Sequence, residues 1–86
     1  MQWKVFTIYD SKSEVWGKPF YSQTTASGLR AFIDVVKDGQ SEYNKFPNDF
    51  AIFEVAVWDD ASGLMLPYEA KKSLGLAVEY LGVKDA

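Results

Sequence analysis

The stretch FPNDFAIFEVAVWDDASG, residues 46–63, constrains the fold more than any other part of this chain. Its middle is apolar at nearly every position, with a single acid, Glu54, inserted. Successive strand residues point to opposite faces, so a strand wetted on one side alternates apolar with polar. This one does not alternate. Residues 50–58 therefore read as the central strand of a sheet whose two faces are both apolar, and the second face needs a cover. Strict alternation puts Ala51, Phe53, Val55 and Val57 under the helices. It puts Phe50, Ile52, Glu54, Ala56 and Trp58 on the far side.

The flanking segments complete an α+β pattern. Residues 3–10, WKVFTIYD, are rich in β-branched and aromatic types and read as a first strand, with Phe6 and Ile8 opposed to Trp3, Val5, Thr7 and Tyr9. Residues 10–14 read as a loop or a single turn. Gly17 and Pro19 punctuate the next segment, and 20–23 form a small edge strand, where proline is tolerated. A helix follows, capped by Thr24 or Thr25, with Leu29, Phe32, Ile33 and Val36 at helical spacing, Lys37 at its negative end and Gly39 as its stop. Gly28 costs that helix about 1 kcal/mol relative to Ala, either tolerated near the first turn or making room for another backbone. Residues 41–46 form a short helical turn ended by Pro47. Residues 59–63 make a turn, 64–68 the hairpin partner, and 73–82 a second helix with Leu74, Ala77, Val78 and Leu81 at helical spacing, Ser73 as cap and Gly82 as stop. The expected fold is α+β: a small two-layer sandwich with a mainly antiparallel sheet of three to four strands and two helices. If the first strand pairs with the last strand of the hairpin, it is ferredoxin-like in part. The segment 14–24, a second copy of the chain, or a flat aromatic ligand then covers the second face.

Eighty-six residues make one domain, 1–86, near the lower limit for an adequate core. Cysteine and histidine are both absent, which excludes disulfides, the usual zinc sites, cysteine nucleophiles and histidine-dependent triads. No nucleophile elbow, phosphate loop or dinucleotide fingerprint is present, so no enzyme activity, metal or cofactor is expected. Asp59-Asp60 reads as a turn, and Glu54 as a buried acid paired across the sheet with Lys4 or Thr7. No apolar run approaches the ~20 residues of a membrane span, and the expected setting is cytoplasmic.

Charge points to where a ligand would bind. The chain carries a net charge of −3, which disfavours nucleic-acid coating by bulk electrostatics. The excess acid lies in the second half: residues 1–46 sum to +1 and 47–86 to −4. In the basic part, Lys12, Trp16, Lys18, Tyr21 and Arg30 interleave cations with rings, the combination by which single strands are held through phosphate contacts and base stacking. The plainer reading packs the rings on the sheet and leaves the lysines to solvate a loop. Trp3, Phe50 and Trp58 are the candidate interface residues on the far face.

The run VFTIYDSKSEVWGKPFYSQTTASGLRAF (5–32) together with residues 46–63 resembles the small non-structural protein of gokushovirus-type microviruses, phages with single-stranded DNA genomes. The likeness is carried by YDSK (9–12), the PF pair (19–20), RAF in a helix (30–32), PNDF (47–50) leading into a strand, the DD…G turn and SLGLAVEYL (73–81). It implies DNA binding in genome replication or packaging inside the infected bacterium, outside the mature shell. An acidic DNA binder needs a local cationic patch, a homodimer that doubles it, or a protein partner that carries the contact. Two functions are therefore expected to compete: a dimeric module for single-stranded DNA, and an adaptor that contacts capsid or replication protein without touching DNA.

Overall fold

The computed structural model describes residues 1–83. The elements run β1 (Gln2–Asp10), β2 (Val15–Trp16), β3 (Phe20–Ser22), α1 (Thr25–Lys37), α2 (Glu42–Lys45), β4 (Phe50–Asp59), β5 (Leu64–Leu76) and a short 3-10 helix, Ala77–Tyr80. One antiparallel sheet has the order β2-β1-β4-β5, with β3 also paired to β1. β1 lies against β4, the first strand of the hairpin, and every described pairing is antiparallel. The ferredoxin-like arrangement, which needs β1 beside the last hairpin strand, is absent.

α1 forms where its periodicity places it. The Thr24 hydroxyl accepts from the Ser27 backbone N–H at 3.0 Å, and the Ser27 hydroxyl accepts from the Thr24 N–H at 3.2 Å, so the cap is reciprocal. Gly28, Phe32 and Val36 form the buried stripe. Gly28 makes room for a ring, not a backbone: a β-carbon there would lie 2.2 Å from Cζ of Phe6. The helix-side core gathers Phe6, Phe32, Val36, Phe50, Ile52 and Ala77, with Tyr43 and Tyr80 packed against it. Tyr43 meets Phe50 edge-on at 4.7 Å, and Tyr80 meets Phe32 at 6.2 Å.

β4 departs from strict alternation, and this corrects the expected faces. Val5 pairs with Ala56 and Phe6 with Glu54, so Val55 is an extra residue that shifts the phase of the strand. Below the bulge Phe50, Ile52 and Glu54 face the helices, while Phe53 faces away. Above it Ala56 and Trp58 join Phe53 on the far face. Phe50, expected at an interface, is instead in the core and 7% exposed.

β5 replaces most of the expected C-terminal helix. Ser73, Gly75 and Leu76 pair with Phe53, Ile52 and Ala51, leaving only the single turn Ala77–Tyr80 helical. The lower half of β4 would otherwise leave backbone groups unpaired, and satisfying them outweighs a helical spacing of four apolar residues. Gly75 permits the change, with φ +116°. The Glu79 carboxylate accepts from the Leu76 N–H at 2.5 Å, and the Tyr80 hydroxyl donates to the Leu74 carbonyl. Gly75→Ala should cost about 1–2 kcal/mol, readable as a lower urea midpoint, because its φ is strained for any side chain and a β-carbon would meet Oε2 of Glu79 at 2.9 Å. Opposite Val55, four residues of β5 (68–71) leave the ladder, since Ala56 pairs with Pro67 and Glu54 with Lys72.

That excursion carries Tyr68 to the buried acid. Glu54 is 1% exposed. It accepts from the Thr25 hydroxyl at 2.6 Å and from the Tyr68 phenol, in place of the expected Lys4 or Thr7. Burial alone would raise its carboxyl pKa. The two hydroxyl donors, with the charges of Lys4 and Lys72, reverse that and hold it below the usual value. Burial and the Glu54 charge push Tyr68 up to about 12.

Candidate nucleic-acid interface

Directly paired residues on neighbouring strands share a face, so the register maps the far side of the sheet. One row is Trp3, Trp58 and Met65; a second is Tyr21, Val5, Ala56 and Pro67. Below the bulge come Thr7, Phe53 and Ser73, then Trp16, Tyr9 and Ala51. The face is mainly apolar and aromatic, with Thr7 and Ser73 on either side of Phe53.

Its lower end is covered from both edges. Gly17 donates its N–H to the Ile8 carbonyl at 2.8 Å, and its own carbonyl accepts from the Thr7 hydroxyl at 2.8 Å, which fixes the segment after β2. Trp16 is thereby laid across the sheet, 4.7 Å from Tyr9 and 5.0 Å from Phe53 between ring centroids. From the opposite edge Lys71 brings its ammonium to 5.4 Å from the Trp16 ring, a cation–π contact. Lys72 sits 4.7 Å from the Tyr68 ring. A segment within 14–24 thus covers part of the second face, and Trp16 is the residue that does it.

The upper end stays open. Trp3, Tyr21 and Trp58 line a hollow of about 360 Å³. Asp60 orients the first of these rings, accepting from the Trp3 indole N–H at 3.0 Å and from the N-terminal ammonium at 2.6 Å. Those two donors hold the Asp60 carboxyl below its ordinary value.

The structure divides the five residues expected to contact nucleic acid. Trp16, Lys18 and Tyr21 lie on β2, β3 and the link between them, with Trp16 and Tyr21 43% and 46% exposed. Arg30 is exposed on α1, in the helical layer behind the sheet. Lys12 lies in the turn after β1, beside a small hollow that it shares with Asp10, Glu42 and Asp49, surroundings that repel phosphate. The cation that joins Trp16 is Lys71. Reading β5 as ending at residue 68 hid it; the KKS that follows would have been its only signal.

The described residues form an α+β domain with an aromatic sheet face and Lys71 at its edge. Among the described residues no group of acids could hold a metal ion, and no helix is long and apolar enough to cross a membrane. Residues 3–80 match the family model described as phage ORF5 protein, and the chain belongs to that bacteriophage family. No curated protein and no solved structure matches it.

Proposed function

We propose that this phage protein binds single-stranded DNA on the far face of its sheet and assists genome replication or packaging in the cytoplasm of the infected host. The resemblance to the non-structural protein of gokushovirus-type microviruses supplies the biological setting. The observation that carries the reading is Trp16, 43% exposed and set among Tyr9, Phe53 and Lys71 on an otherwise apolar sheet. A base stacks on the exposed ring while Lys18 and Lys71 meet the flanking phosphates. A homodimer doubles this small cationic patch, giving a chain of net charge −3 the local attraction that it needs.

Fluorescence anisotropy with a labelled oligo(dT) tests it. Trp16→Ala should weaken binding about tenfold, the stacking of one base. Lys71→Glu should weaken it further and flatten the salt dependence by about 0.7 in log–log slope for the lost phosphate contact. Arg30→Glu, behind the sheet, should change little. Absence of binding at low salt removes the proposal. The open hollow of Trp3, Tyr21 and Trp58 favours a second reading beside it, a docking site for capsid or replication protein at the other end of the same face.

A further inference from the structure

Residues 68–71 of β5 stand opposite the single bulged residue Val55, between one ladder pair at Ala56–Pro67 and the next at Glu54–Lys72. The ladder fixes both ends of this segment and leaves its middle to be ordered by side chains. Its first and last residues reach different partners. The Tyr68 phenol donates to the buried Glu54 carboxylate. Lys71 extends over the far face, its ammonium 5.4 Å from the Trp16 ring. We infer that Tyr68 is a positioning residue for the far face: anchored on Glu54, it holds segment 68–71 in the conformation that sets the Lys71 ammonium beside Trp16.

Lys71 and Trp16 do not hold each other. Both are exposed, and a cation–π contact in water gains less than the rotamer freedom that a lysine gives up. Packing is no better a restraint, because Val55, Tyr68 and Lys71 border a hollow of about 330 Å³ beside the segment. The Tyr68 anchor is of another order. Its acceptor is a carboxylate 1% exposed, and hydrogen bonds to a charged group are the strong ones. Glu54 is itself fixed from the helical layer, where it accepts from the Thr25 hydroxyl at 2.6 Å. Lys72, which pairs with Glu54 in the ladder, lies 4.7 Å from the Tyr68 ring, so the anchor sits beside the point where the segment rejoins the sheet. Only Glu69 and Ala70 then separate the anchored residue from Lys71.

The inference rests on the reading of Trp16 and Lys71 as DNA contacts, and one arm of its test needs no DNA. In the 15N-labelled full chain, Lys71→Ala should move the indole N–H resonance of Trp16 and leave those of Trp3 and Trp58 in place. Tyr68→Phe should move the Trp16 resonance in the same direction. Thr25→Val also takes one donor from Glu54, but from the helical layer, and should leave that resonance unmoved. In the second arm, Tyr68→Phe and Lys71→Ala should each weaken oligo(dT) binding about fivefold at low salt, the loss of one phosphate contact. The double variant should lose no more than either alone. An unmoved Trp16 resonance in Tyr68→Phe overturns the inference. So does an equal movement in Thr25→Val, which would make Tyr68 a stabiliser of the fold alone, or a double variant in which the two losses multiply. Should the parent chain fail to bind oligo(dT), the DNA reading falls and the indole resonance alone decides the anchor.

Discussion

Gly28→Ala should destabilise the protein by about 3 kcal/mol, at the upper end of what overpacking a core costs. Helix propensity predicts the opposite sign, since Ala at an interior helical position gains about 1 kcal/mol over Gly. Geometry decides between them. The new β-carbon would stand 2.2 Å from Cζ and 2.3 Å from Cε1 of Phe6. Phe6 is fully buried, its ring stacked on Phe20 at 5.4 Å, and has nowhere to move. For a domain of this size the net loss corresponds to a fall in Tm of roughly 10–20 °C. Calorimetry on Gly28→Ala, Phe6→Leu and the double variant checks the cause: the double variant should be more stable than the sum of the two losses predicts. A Tm at or above that of the parent chain for Gly28→Ala would show that the helix and sheet are spaced differently.

Glu54→Ala should cost about 2–4 kcal/mol, because two half-buried hydroxyls, Thr25 and Tyr68, lose their acceptor at once and a buried side chain is truncated. The same group sets an acid limb. The Glu54 carboxyl titrates lower in the folded chain than its ordinary 4.5, so its contribution is complete above that pH. It is lost as pH falls through the folded value. Glu54→Gln keeps an acceptor for the hydroxyls but has no charge to lose, and its urea midpoint should vary less with pH below 4.5. Tyr68 works on the alkaline side with the reverse sense. Its proton is held to about 12 in the folded state, so that stabilisation is complete below 10 and declines as pH rises toward 12. An unaltered acid limb in Glu54→Gln would assign it to other carboxylates.

The residues show where the fold was legible and where it was not. α1 was readable because cap, stripe and stop are all local, and its buried residues fall on the expected turns. The short turn after Ser41 and the strand after Pro19 were readable for the same reason. β4 was readable as a strand, but its faces were not, because one bulged residue, Val55, reverses the phase halfway along. A bulge depends on what the neighbouring strands pair with, and that information lies in residues far along the chain. The C-terminal segment misled more directly. Leu74 and Ala77 do reach the core as a helix would place them, yet they do so from a strand end and a single 3-10 turn. Much the same apolar set serves either structure, and pairing with Ala51 and Ile52 made the choice. The candidate site was legible only in part: Trp16 and Lys18 stand out by local interleaving, Tyr21 lies instead at the hollow with Trp3 and Trp58, and Lys71 reaches Trp16 only through the folded sheet.

Leu64, Met65 and Leu66 are all substantially exposed on β5, at the rim of the sheet. Rims of this kind are where fibrils recruit their next strand. Pro67 follows at once, offering an incoming strand no N–H, and residues 68–71 then swing out of line. A neighbour could zip along only a few residues before losing register. Crowded copies of this protein should therefore adhere, when they adhere at all, through side chains and reversibly, without growing into amyloid.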